Sequence, residues 1–310
     1  MPKILSNILI LFLLLTISCS SNKTGKKNQP ETKKREFVLP QIPVILTAPE
    51  DRANYLVSHY WDNFDFNDTI LTNMPEVTEQ ALRDYVDILP FAKKEISLAS
   101  IKELLKKAEE EKTGRMYVYF LEVLKKYLHD PNSPVRNEEF YIPAAEYIID
   151  DKKSDIAEKE RAKYLLGMMM KNRVGETAID FTYTLASGRT GSLHGIKAPY
   201  IMLFFYNPDC HACAEYINSI KTSPAIQNAI NQRGMKILAF YPDKEIEIWK
   251  NHLSDIPPNW INGYDRGVIM DSLKVYHIKA IPTVYLLDEN KKVILKDVTI
   301  PAIENYFMSM

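Results

Sequence analysis

Apolar residues recur at helical intervals through the first half of the chain and run continuously through much of the second. Residues 79–94, EQALRDYVDILPFAKK, set Leu82, Tyr85, Val86 and Leu89 three and four apart, the spacing of one helix face. Residues 100–114, SIKELLKKAEEEKTG, carry a similar stripe and end in Gly114, a helix stop signal. Residues 116–130, MYVYFLEVLKKYLHD, are apolar on more than one side, which predicts a buried helix. The two prolines of DPNSP (130–134) make a turn, and residues 155–172 form another amphipathic helix. The aromatic stripe in NYLVSHYWDNFDF (54–66) predicts a helix packed into a core. These segments define an all-helical domain over 37–172.

After Asn172 the pattern changes. VGETAIDFTYTLASGRTGSL (174–193) reads as strand and turn, and YIMLFFY (200–206) as a fully buried strand. CHACAEYINSIKTS (210–223) is a short helix, and Pro224 opens or kinks the next piece. MKILAFYPD (235–243) is a strand, and IPTVYLLDENKKVIL (281–295) is strand, turn, strand. Strands that are apolar throughout, alternating with a helix, predict an α/β domain over 173–310 with a central sheet flanked by helices.

The chain begins differently again. MPKILSNILILFLLLTISC (1–19) has a basic start at Lys3, an apolar run from Ile8 to Leu15, and small residues before Cys19. The run is too short to span a bilayer, so residues 1–18 read as a secretory signal. A signal that ends in small residues and cysteine resembles a bacterial lipoprotein signal. The resemblance implies lipidation of Cys19, and hence a lipid-anchored protein of the bacterial cell envelope, on the periplasmic face of a membrane. Thr16 stands where such signals usually have leucine. Residues 19–36 are polar, rich in lysine and without apolar periodicity, as expected of a flexible tether. Its 17 residues after Cys19 reach roughly 23 Å.

Bulk composition excludes some classes. Of 310 residues, 46% are hydrophobic and the formal net charge is −1, so a sizeable core is available and nothing points to nucleic acid. No glycine-rich phosphate loop appears. Only three cysteines are present, and two of them, Cys210 and Cys213, stand three apart just after an apolar strand. Such a pair holds a metal, exchanges disulfides with something else, or is buried by accident. With Cys19 set aside, an exported chain leaves Cys210 and Cys213 only each other.

Three stretches carry a family resemblance over residues 173 to about 300: GETAIDF (175–181), YIMLFFYNPDCHAC (200–213) and VYHIKAIPTVYLLDENKKVI (275–294). In this order they resemble the thioredoxin superfamily, nearest to the TlpA/ResA branch of extracytoplasmic thiol–disulfide oxidoreductases. The resemblance implies a thioredoxin-like fold and a redox-active disulfide between Cys210 and Cys213, with no other cofactor. Cys210 would attack a client disulfide and Cys213 would resolve the mixed disulfide. The resemblance further implies a cis peptide before Pro282, opposite the sulfurs, with Ile281 and Thr283 contacting the client. The clients would be disulfide-containing exported proteins, the current would come from a membrane electron donor, and the direction would be reductive.

Two departures bear on the chemistry. Asp209 stands where the family usually has tryptophan. A carboxylate there opposes a neighbouring thiolate by about 1 kcal/mol at 4 Å in water-like surroundings, while a helix N-terminus favours it by about 0.3–1 kcal/mol. His211, when protonated, would favour the thiolate again. The family's buried acid has no counterpart, since Phe204 occupies its place; Glu215 and Asp180 are the remaining candidate bases. Rival chemistries lack their motifs. Structural zinc wants a second ligand pair, thioredoxin-fold copper chaperones use CxxxC with a distal histidine for which His277 is the one candidate, and a peroxidase motif would need proline and a hydroxyl where Leu203 and Asn207 stand. A thioredoxin fold that serves only as a binding scaffold is the alternative to an enzyme. His59, His129, His194 and His252 read as ordinary core or surface residues, and Trp249 and Trp260 as packing. The helical segment, with HYWDNFDF and DPNSPVRNEEFYIP, resembles an N-terminal domain of unknown function found ahead of TlpA-like domains, which implies no activity.

Overall fold

A computed structural model describes residues 35–152 and 154–310; the leader, Cys19 and most of the tether lie outside the described residues. The helical part contains α1 (Pro49–His59), α2 (Thr78–Ile88), α3 (Lys94–Glu109), α4 (Arg115–Leu124), α5 (Glu138–Asp150) and α6 (Ile156–Met169). Residues 79–94 are not one helix. α2 ends at Ile88, and a short 3-10 turn containing Pro90 separates it from α3, because proline cannot donate to the helical ladder. Gly114 does not close α3. At φ 74° it precedes α4, while the Glu111 carboxylate accepts the N–H groups of Thr113 and Arg115. A π turn over Lys125–His129 continues α4. α6 opens on a capping box between Asp155 and Glu158.

The aromatic stripe is core, as its pattern predicts. Trp61 sits 5.1–6.5 Å, centroid to centroid, from Phe66, Tyr85 and Phe120. α5 is the helix that periodicity does not reveal. Residues 138–145 are all buried and Pro143 lies inside it, so no polar face marks the 3.6-residue repeat.

The second part is built on seven strands: β1 (Thr182–Leu185), β2 (Thr190–Ser192), β3 (Tyr200–Phe205), β4 (Lys236–Tyr241), β5 (Ile261–Tyr264), β6 (Thr283–Asp288) and β7 (Val293–Lys296). They form one mixed sheet in the order β2-β1-β5-β4-β3-β6-β7. β3, β4 and β5 are parallel; β6 runs antiparallel to β3. Five helices complete the part: α7 (His211–Thr222), α8 (Pro224–Arg233), α9 (Ile246–Asn251), α10 (Ile269–Leu273) and α11 (Ile300–Met308). Pro224 opens α8 at its first turn, capped by Ser223.

Successive residues of β3 feed two cores. Met202 and Phe204 pack with Ile220, Ile226, Ile303 and Phe307; Ile201, Leu203 and Phe205 pack with Phe181, Tyr276 and Tyr285. Burial on both faces explains the uninterrupted apolar run. An all-α domain thus precedes an α/β thioredoxin-like domain. No helix among the described residues is long and apolar enough to cross a membrane.

Candidate redox site

β3 delivers the cysteines. Beyond it, Tyr206 donates its backbone N–H to Phe240 at 3.1 Å and its hydroxyl to Asn262 at 2.8 Å. Asn207 then braces the turn: its Oδ1 accepts the Asp209 N–H at 2.9 Å, and its amide donates to Asp243 at 2.7 Å. The chain enters α7 with Cys210 as N-cap at φ −94°, ψ 113°. The cap position normally holds a side-chain oxygen that accepts from the first turn. Here Cys210 Sγ does so, taking the Cys213 N–H at 3.3 Å. A helix N-terminus favours negative charge at that place.

Cys213 lies one turn inside and is 1% exposed, whereas Cys210 is half-buried; both are free. Burial pushes the Cys213 thiol well above its ordinary range, and the hydrogen bond with Cys210 adds to the shift. Cys213 also borders a cavity of about 190 Å³ that reaches Lys221 and Asp255.

Sheet register explains what faces the sulfur. Antiparallel pairing sets Phe205, the last residue of β3, against Thr283, the first of β6. The turn after β3 and the turn before β6 therefore meet, although 71 residues separate Cys210 from Ile281. The Cys210 thiol donates to the Ile281 carbonyl at 3.5 Å, and the Ile281–Pro282 peptide is cis. Thr283 is buried and its hydroxyl donates to Ala280 at 2.6 Å, so that side chain holds the loop.

The two expected tuning residues face other partners. The exposed Asp209 carboxylate lies 3.8 Å from His252 Nε2, and the exposed His211 Nδ1 lies 3.5 Å from Glu215. Asp180 accepts the N–H groups of Phe181 and His194, as a turn residue does. Among the described residues no group of three histidine, cysteine or acidic side chains could hold a metal.

A second cluster was not visible in the sequence. Glu138, at the start of α5 and 6% exposed, meets three basic side chains of the other domain: His277 Nδ1 at 2.6 Å, Lys296 Nζ at 3.0 Å and Lys279 Nζ at 3.4 Å. Asp297 bridges Lys279 at 2.9 Å and Arg136 at 3.2 Å. Lys296 and Lys279 act on Glu138 through charge, and His277 is its closest contact. Burial alone would raise the Glu138 carboxyl; His277, Lys296 and Lys279 outweigh it and hold the group well below the usual carboxylate range. Lys279 also donates to the His129 carbonyl at 3.1 Å, and Lys296 to those of Met169 and Lys171 at 2.7 Å. His277, weighed above as a metal ligand, is thus a structural partner of Glu138.

Comparison with known proteins agrees with the two-part fold. Residues 18–172 match a family described as Domain of unknown function (DUF5106), and residues 199–293 match one described as Thioredoxin-like. A thioredoxin-like protein from Bacteroides caccae is 45% identical, with a TM-score of 0.80, over 89% of this chain and 99% of its own. The chain belongs to the thioredoxin-like proteins and carries an N-terminal DUF5106 domain. Two further structures match less than half of it. The C-terminal domain of an uncharacterized protein from Bacteroides fragilis is 46% identical over 44% of this chain and 98% of its own, TM-score 0.44. The thioredoxin domain of a thiol-disulfide oxidoreductase from Bacteroides vulgatus is 22% identical over 44% of this chain and 96% of its own, TM-score 0.39. No curated protein matches the chain.

Proposed function

We propose that the protein is a thiol–disulfide oxidoreductase of the TlpA/ResA kind that reduces disulfides in exported proteins. One observation carries the reading: a half-buried thiol caps a helix, with a buried partner thiol one turn behind it and the Ile281 carbonyl 3.5 Å in front. The Cys210 thiolate attacks one sulfur of a client disulfide. A new S–S bond forms to that sulfur, and the other leaves as a thiolate and takes a proton. Cys213 then loses its proton and attacks Cys210 Sγ, which releases the second client sulfur and closes Cys210–Cys213. Two electrons pass to the client, and a membrane electron donor returns them. The buried Cys213 must shed its proton before attack, and the cavity toward Asp255 and Lys221 is the route beside it.

The leader ahead of Cys19 supports export and a lipid anchor in the cell envelope, with residues 20–36 as tether. Insulin reduction coupled to dithiothreitol tests the activity. The described body should accelerate it, and Cys210→Ser should abolish the acceleration. A Cys210→Ser form as active as the parent would overturn the reading.

A further inference from the structure

The helical domain lines a groove that reaches the redox site. Tyr164 and Met168 of α6 border a cavity of about 610 Å³ whose lining includes the segment Tyr276–Ile281. Ile281 is the residue whose carbonyl takes the Cys210 thiol. The volume falls within the range of about 300–1,000 Å³ usual for ligand sites.

The chemistry of the lining selects the ligand class. Among the described residues nothing bonds the backbone N–H groups of His277, Ile278, Lys279, Ala280 or Ile281. Unpaired main chain is costly to leave dry and suits a partner with main chain of its own. The segment cannot retreat, because the helical domain holds it from behind. Glu138 grips His277 and Lys279, and Asn172 donates to the Val275 carbonyl at 2.9 Å. Of the rim charges, Lys244 and Lys274 both pair with Asp271, at 2.9 and 2.8 Å, Asp243 accepts from Asn207, and Glu245 adds a further carboxylate. The apolar lining includes Pro242, Met270 and Ile278, and α6 adds the ring of Tyr164, which is 65% exposed.

A client strand beside the backbone that precedes Pro282 is what the fold family implies; we propose that α6 of the helical domain extends that site and selects clients through Tyr164. A strand laid along residues 277–281 would span about 17 Å. The inference rests on the redox reading above and assigns the helical domain a share of the client site.

The test combines a trap with a photocrosslinker. A Cys213→Ser form carries p-benzoylphenylalanine in place of Tyr164, or, as control, in place of Phe91, an exposed residue outside the groove. Insulin is the probe. After the mixed disulfide forms, illumination should join insulin to position 164 and not to position 91. A mixed disulfide with no cross-link at 164, or equal cross-linking at both places, overturns the inference alone. A chain that forms no mixed disulfide sinks the redox reading and this inference with it. In the intact chain, Tyr164→Ala should raise KM for insulin about tenfold and leave the rate with 5,5′-dithiobis(2-nitrobenzoate) unchanged. Equal loss with both disulfides would make Tyr164 merely structural and contradict the proposal.

Discussion

Glu138 Oε1 lies 2.6 Å from His277 Nδ1, joining the first turn of α5 to the segment that leads into Pro282. The contact ties a domain of unknown function to the loop that faces the reactive sulfur.

Removing the Glu138 charge should therefore unfasten the two parts. Glu138→Gln leaves Lys296 buried without its carboxylate and Lys279 with Asp297 alone, a change that costs about 3–5 kcal/mol. Urea unfolding followed by tryptophan fluorescence reads this, because Trp61 reports on the helical core and Trp249 on the sheet domain. The parent should unfold in one transition and the variant in two, the earlier at lower urea. A single unchanged transition would show that the network carries no stability. Glu138→Gln with Lys296→Met should recover part of the loss.

Acid should weaken the same junction in a definite window. His129 is lowered from 6.5 to about 4, by burial first and by Lys279 second. The unfolded chain thus takes a proton before the folded one does. Stability is full above about pH 6.5 and falls until about pH 4, by about 2 kcal/mol once solvent screening of the part-exposed ring is allowed for. Glu138 is also lowered, from 4.5, so its contribution is present above that value and lost below it. His129→Gln should flatten the unfolding free energy between pH 6.5 and 4; an unaltered slope there would contradict this assignment.

The two thiols should differ toward an alkylating reagent. Cys213 is buried with its thiol pushed up, and Cys210 stands half-exposed in front of it. Brief iodoacetamide treatment at pH 8 should label Cys210 alone, read by peptide mass mapping. Equal labelling would mean that α7 does not shield Cys213 as described.

The pair should be a moderate reductant. Cys210 Sγ receives one backbone N–H, and among the described residues no cationic side chain pairs with it, since His211 faces Glu215 and Asp209 faces His252. A reduced form without special stabilisation belongs nearer thioredoxin, about −270 mV, than strong oxidants, about −120 mV. Equilibration with glutathione measures this, and a value near −120 mV would reverse the proposed direction.

What the sequence disclosed follows from which signals are local. β3 and α7 are legible because a continuous apolar run and a cysteine at a helix cap lie within a few residues of each other. β5 is not. Its residues, INGY, hide a strand in which Asn262 accepts from Tyr206 and Trp249 while Gly263 lies against Tyr183, too close for a side chain. α5 is masked by burial on all sides and by Pro143. The adjacent Glu138 and Glu139 look like solvated surface, and only the fold brings them to Lys279, Lys296 and Arg173. Charge partners so distant in sequence leave no periodic mark, so the junction appears only in three dimensions.

The most direct test of the account is the intact mass of a Cys213→Ser form after exposure to oxidised insulin. The account predicts one added insulin molecule, held through Cys210 and released by dithiothreitol. A protein whose mass does not change, while its Cys210 still reacts with iodoacetamide, would show that the thiol is accessible but exchanges no disulfide, and would contradict the account.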